Sequence, residues 1–239
     1  MGIGGATIIA PRVPRVTPRI GAVTGVVTTT LEETERHHRA CVLCVEAGLL
    51  ERAHPVFGPV PGARVMLVGQ APGVVEDDVS RPFAGRAGRQ LMRWLARAGI
   101  PSEAEVRRRV FMTSMTTCFP GRRPGDRGDR RPSGREVRLC GDWLDAYLRL
   151  LRPELIICVG TLSQARFLPG RRLDELVGEA WTASGEVVGG TPAGRPVLVP
   201  LPHPSGQSRW LNDPARMDRL DAALVRLGEL VDWAERPRG

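Results

Sequence analysis

The chain reads as an α/β protein whose parallel sheet is covered by helices on both faces. Short, continuously apolar runs alternate with segments of helical character, the pattern of strands buried on both sides. The chemically unusual residues gather in the loops that follow those runs. Ligands of such sheets bind outside the carboxyl ends of the strands, so those loops are where function is expected.

Taken in order, residues 31–50 are expected to be helical around Cys41 and Cys44. Arg64-Val-Met-Leu-Val68 is the first strand, ending in Gly69, and a Gly/Pro loop leads from it into a helix over Gly85 to Ala98. Arg109-Val-Phe-Met-Thr113 is the second strand. Ser133 with Glu136 three residues later forms a capping box that opens a helix to Leu151. Leu155-Ile-Ile-Cys-Val159 is the third strand, followed by a short helix from Thr161. Val197-Leu-Val-Pro200 is the fourth and runs into Leu201-Pro-His-Pro204. Asn212 or Asp213 caps a last helix, with Pro214 in its first turn.

Residues 1–30 mix Gly, Pro, Arg, Val and Thr without an apolar region and small-residue cleavage site. They are read as a flexible arm ahead of one domain over 31–239. No stretch approaches the roughly twenty apolar residues of a membrane span, and the expected location is the cytoplasm.

The net charge is +8, and all 34 basic residues are arginine because the sequence contains no lysine. Guanidinium forks bind phosphate bidentately, which points to nucleic acid as the partner. The missing lysine also excludes a side-chain imine from any reaction on a sugar.

Cys41-x2-Cys44, Cys118 and Cys140 read as one metal site, because clustered cysteines in a reducing compartment favour metal over disulfide. Four thiolates suit an iron–sulfur cluster or an all-cysteine zinc ion. The fifth, Cys158, lies in an apolar run and reads as a buried core thiol. Between Cys118 and Cys140 runs Gly121-Arg-Arg-Pro-Gly-Asp-Arg-Gly-Asp-Arg-Arg-Pro132. With its two interleaved aspartates it is either an exposed flexible turn or a DNA contact through residues such as Arg122 and Arg123. Anchorage at both ends by metal ligands favours the contact.

Three loops carry the remaining chemistry. The first holds Gly69-Gln-Ala-Pro-Gly73, Glu76-Asp-Asp78 and Arg81-Pro-Phe-Ala-Gly-Arg-Ala-Gly88; the second follows Thr113; the third is His203-Pro-Ser-Gly-Gln-Ser-Arg-Trp-Leu-Asn212. These motifs, in this order and with the four cysteines, resemble the iron–sulfur uracil-DNA glycosylases (family 4 and its relatives) over roughly residues 35–230. The resemblance implies a three-layer α/β/α sandwich with a central four-stranded parallel sheet and a [4Fe-4S] cluster, zinc being the lesser alternative. It implies hydrolytic removal of uracil from DNA after the nucleotide is flipped out of the stack. It further implies that Phe83 stacks on the flipped base, that backbone at Gln70 and Ala71 meets the pyrimidine edge, and that His203 hydrogen-bonds the carbonyl where charge develops. Glu76 matches the acidic position, orienting water or stabilising the cationic sugar. The segment Gly206–Leu211 enters the duplex, with Arg209 as phosphate or gap contact and Trp210 or Leu211 as wedge.

The chain departs from that pattern in three places. Ser114 stands where the family has a base-reading asparagine, and a hydroxyl discriminates between bases less strictly than a fixed amide. This leaves hypoxanthine or xanthine as alternative substrates, and a non-catalytic lesion-binding protein as an alternative function. Gln70 replaces a common glutamate. Twenty-one residues lie between Cys118 and Cys140, more than is usual, and no histidine among them is available for covalent trapping of DNA. His37, His38 and His54 read as structural, as do the helix faces near Trp94, Trp143 and Trp233. Nothing in the sequence requires more than a monomer.

Overall fold

A computed structural model describes residues 30–236, apart from 126, 127 and 207. The arm expected over 1–30 therefore lies, except for Thr30, outside the described residues.

The strands β1 (Val65–Gly69), β2 (Val110–Ser114), β3 (Leu155–Val159) and β5 (Val197–Leu201) are parallel and buried along their whole length. A two-residue strand, β4 (Trp181–Thr182), pairs antiparallel with β5, so the sheet has five strands in the order β2-β1-β3-β5-β4. The expected four-stranded parallel sheet is present, and the fifth strand is the difference. β4 is too short for any periodic signal, and it is held by its register of Trp181 against Leu198.

The period-two alternation of each strand divides the core in two. Val65, Leu67, Val110, Met112, Leu155, Ile157, Val197 and Val199 face α4 (Arg86–Arg97), α5 (Glu103–Arg109) and α9 (Pro214–Glu235). Met66, Val68, Phe111, Ile156, Cys158 and Leu198 face the other way, toward α6 (Gly134–Leu151) and its neighbours. Cys158 is fully buried there, as expected of a core thiol.

Capping residues set the helix ends. Ser133 and Glu136 form the expected box, with Glu136 N–H donating to Ser133 Oγ at 3.3 Å and Ser133 N–H to Glu136 Oε2 at 2.6 Å. Asp213 caps α9, accepting from the Ala215 and Arg216 amides, with Pro214 at the first position. The helix expected over 31–50 is two, α1 (Leu31–Arg39) and α2 (Leu43–Glu46), and Cys41 sits in the break. Arg109, expected to open a strand, instead ends α5, which Ser102 caps through the Glu105 amide. Three further helices are short: α3 (Val74–Val79), α7 (Thr161–Phe167) and α8 (Leu173–Leu176). No helix among the described residues is long and apolar enough to cross a membrane.

Candidate active site

β1 and β2 end side by side, with Gly69 opposite Ser114, and the chains stay paired beyond the strands through Met115 N–H to Gly69 O at 3.0 Å. Phe83 folds back over this floor. A Cβ built on Gly69 would lie 2.8 Å from Phe83 Cζ and 3.2 Å from Ser114 Oγ, so the glycine is what lets ring and hydroxyl approach the backbone. Phe83 itself has φ +54°, a left-handed conformation that costs a bulky residue on the order of 1–3 kcal/mol. Gly88 on α4 permits it, because a side chain there would collide with the Phe83 carbonyl. Arg107 Nη1 donates to Pro82 O at 3.1 Å and steadies the same segment. Phe83 is half-buried and Ser114 buried, while Gln70 and Ala71 are partly open at the loop's start.

The acidic trio is a brace rather than a solvated loop. Glu76 accepts from Gly73 N–H at 3.1 Å through Oε2 and from Gly85 N–H at 2.7 Å through Oε1, closing the loop on itself. Asp77 turns inward to Arg52 and to His54 Nδ1 at 2.9 Å, and His54 Nε2 meets Ser80 Oγ at 3.0 Å. Only Asp78 is exposed.

His203 follows β5. Its Nδ1 accepts from the Ser205 backbone N–H at 3.3 Å and lies 3.0 Å from Ser205 Oγ. A backbone amide can only donate, so the ring proton is assigned to Nε2. Burial holds the imidazole below its ordinary pKa, which keeps it neutral. Nε2–H makes no hydrogen bond among the described residues and is therefore a poised donor. Gly160 (φ +82°) lies under the ring, where a Cβ would stand 3.4 Å from His203 Cδ2. Gln164 Nε2 donates to Leu201 O at 2.9 Å and fixes the strand end that carries the histidine.

The third loop corrects an expectation. Trp210, expected to wedge into DNA, is 7% exposed and packs in the core beside α9, and its indole N–H donates to Asp174 Oδ1 at 2.6 Å. A ring so buried, with its N–H satisfied, is not free to enter a duplex. Leu211 is half-buried against the same core, and Gly206 is exposed. The side chain of Arg209, the expected phosphate contact, lies outside the described residues.

Cys41, Cys44, Cys118 and Cys140 line one pocket with Leu43, Leu50, Ala53, Pro55, Thr116, Thr117, Glu136 and Leu139. All four are free thiols. Burial, reinforced by the neighbouring sulfurs, pushes Cys118 up to about 12; burial also pushes Cys140 up to about 11. Thiolates in this pocket therefore call for a bound cation. Thr117 Oγ1 lies 3.5 Å from Cys140 Sγ. Among the described residues no three His, Cys, Asp or Glu side chains converge on the position of a single metal ion.

Sequence reasoning missed how this lobe is held. His38 is stacked between Phe57 (4.6 Å) and Trp143 (4.8 Å), with Nδ1 2.9 Å from Tyr147 Oη and Nε2 2.8 Å from Thr117 Oγ1. It ties α1, α6 and the chain beyond β2, the segments around Cys41, Cys140 and Cys118. The arginine-rich segment is a hairpin. Arg123 N–H donates to Gly128 O, Arg130 N–H to Gly121 O, and the Arg130 guanidinium grips Glu136 at 2.6 and 2.8 Å. Arg122 and Arg123 are exposed on it.

A half-buried histidine with an unengaged ring nitrogen and an aromatic ring in a strained loop thus lie after strands of a parallel sheet, at the end where α/β folds bind their ligands. The uracil DNA glycosylase superfamily model matches residues 55–225, and the chain belongs to that superfamily. It is similar to a type-4 uracil-DNA glycosylase of Pyrobaculum aerophilum, 37% identical over 114 residues covering 47% of this chain and 53% of the relative. The corresponding enzyme of Archaeoglobus fulgidus is 36% identical over 114 residues, covering 46% and 51%. That of Sulfurisphaera tokodaii is 30% identical over 135 residues, covering 56% of each. The chain thus spans about half the length of the curated relatives it matches.

Proposed function

We propose that the protein is a monofunctional uracil-DNA glycosylase of base-excision repair, acting as a monomer in the cytoplasm. The observation that carries this reading is His203, half-buried and neutral at the carboxyl end of the sheet, its Nε2–H without a partner among the described residues. As the glycosidic bond lengthens, negative charge gathers on the uracil carbonyl, and a preorganised donor there is worth about 3 kcal/mol. Phe83 stacks on the flipped base, contributing roughly 1–3 kcal/mol. The loop at Gln70 and Ala71 meets the pyrimidine edge, and Ser114 Oγ reads it from below. Glu76, clamped in the loop, stabilises the cationic sugar.

Arg122, Arg123 and Arg209 contact phosphates, and Leu211, with Trp210 turned inward, is the remaining apolar side chain for the gap. The cysteine pocket fits a [4Fe-4S] cluster in its four thiols and apolar wall. Cys41, Cys44, Cys118 and Cys140 would hold it. Bound there, it would supply the positive charge that keeps the four thiols ionised, and through Cys41, Cys118 and Cys140 it would join the hairpin to the segments at α1 and α6.

Ser114 favours a second reading, a broadened base preference, because its buried hydroxyl both donates and accepts. A panel of oligonucleotides carrying uracil, hypoxanthine, xanthine or cytosine, single- and double-stranded and resolved by alkaline cleavage, tests both. Release of uracil is expected, with Ser114→Asn narrowing any activity on purines. Binding without release of any base would contradict catalysis and favour a lesion-binding role.

A further inference from the structure

A carboxylate can orient the water of hydrolysis, and those of the first loop are already engaged by other partners. Both oxygens of Glu76 accept backbone N–H groups. Asp77 is committed to Arg52 and His54. Gln70, at the start of the loop, carries an amide, which is not a proton acceptor at neutral pH.

The hairpin between Cys118 and Cys140 brings another. Asp129 stands opposite Arg122 at the hairpin's bridge, with its carboxylate turned to the start of α3 at Gly73. A Cβ on Gly73 would lie 2.8 Å from Asp129 Oδ2 and 2.8 Å from Glu76 Oε2, so the two carboxylates flank one glycine. The space between them exists because position 73 has no side chain. Asp129 is exposed to solvent.

We propose that Asp129 is the water-orienting carboxylate of this site, carried into the active site by the cysteine-bounded hairpin. The inference rests on the glycosylase reading above. In the reaction the water oxygen bonds to C1′ as the C1′–N1 bond breaks, and the electron pair leaves with the base, held by His203 Nε2–H. The water's proton passes to the Asp129 carboxylate and from there to solvent. Water and the deoxyuridine site give an abasic sugar and uracil, with no other reactant. The same hairpin presents Arg122 and Arg123 to the backbone, so DNA binding and water positioning are joined in one element.

Among the described residues three charged groups act on Asp129: Glu76 from α3, and Arg122 and Arg123 from the hairpin itself. Partial burial and Glu76 raise its pKa, against the opposing pull of both arginines and the Val74 amide. A base works only when unprotonated, so the rate should fall as pH drops through a value raised from that of an ordinary aspartate.

Single-turnover base release from a uracil duplex, measured across pH for the full chain and for Asp129→Asn, tests this. Asn keeps the size of the side chain and an oxygen at its place over Gly73, and so preserves the docked hairpin. The expected result is a loss of about a hundredfold or more at neutral pH, the scale of a lost general base. The acid limb should also disappear, while uracil-DNA affinity and thermal midpoint stay close to those of the parent. A rate within threefold of the parent, or a retained acid limb, would overturn the proposal. Parallel losses of rate, affinity and midpoint would make Asp129 a purely structural residue and overturn it as well. A parent that releases no base sinks the glycosylase reading and this one together, whereas an active parent with an indifferent Asp129→Asn sinks this one alone.

Discussion

Two histidines of lowered pKa differ in how much of the ring is already engaged. Burial lowers the pKa of both, so each is neutral where most surface histidines begin to titrate. His38 has both ring nitrogens engaged and both faces covered by aromatic rings. His203 has Nδ1 engaged and Nε2 without a partner among the described residues. Desolvation alone therefore does not mark a functional histidine; an unspent donor does. The same distinction sorts the tryptophan and the carboxylates. Trp210 is closed by Asp174, and Glu76 is held in place by two backbone amides, whereas Asp129 is exposed.

The largest expected effect concerns a closed group. Trp210→Ala should cost about 3–5 kcal/mol of stability, as for a core aromatic, with DNA affinity of the folded protein nearly unchanged. Chemical denaturation and a salt-matched binding titration would check it, and a selective loss of affinity would restore the wedge. Next, Gly88→Ala forces Phe83 from its left-handed conformation and should slow base release about a hundredfold, the usual consequence of roughly 1 Å of misplacement. Steady-state and single-turnover rates on uracil DNA would show it.

His38→Gln should cost about 2 kcal/mol through unsatisfied Tyr147 and Thr117 hydroxyls, yet leave the single-turnover rate of folded protein within a few-fold. The smallest effect is a slope. His38 has a folded pKa of about 3 against an ordinary 6.5, so between those values the unfolded chain binds the additional proton. Stability should then fall as pH drops from about 6.5, and His38→Gln should flatten that part of the profile. Denaturation midpoints at half-unit pH steps would resolve the difference.

Local signals were legible and long-range ones were not. Ser133 and Glu136 announce α6 to the residue, because a capping box is written within four positions. Ser102 and Glu105 carry the same signature and open α5, yet the apolar run beyond them drew the strand boundary back over Arg109. The four core strands were readable because burial on both faces demands continuous apolar runs, whereas two-residue β4 leaves no such trace. At the site, His203 was singled out by following a strand within a matching motif, and Phe83 and Ser114 by the resemblance of their motifs to the family's. Trp210 was misread because its partner, Asp174, lies 36 residues away and nothing nearby records the contact. Asp129 was hidden for the same reason, since only the folded hairpin brings it to Gly73.

The most direct test is the single-turnover release of uracil by the parent protein and by His203→Ala under identical salt and pH. A fall of about 10²–10³-fold, with thermal midpoint and uracil-DNA affinity little changed, is what a neutral donor spent only in the transition state predicts. A His203→Ala variant that releases uracil within fivefold of the parent rate would contradict the account at its centre.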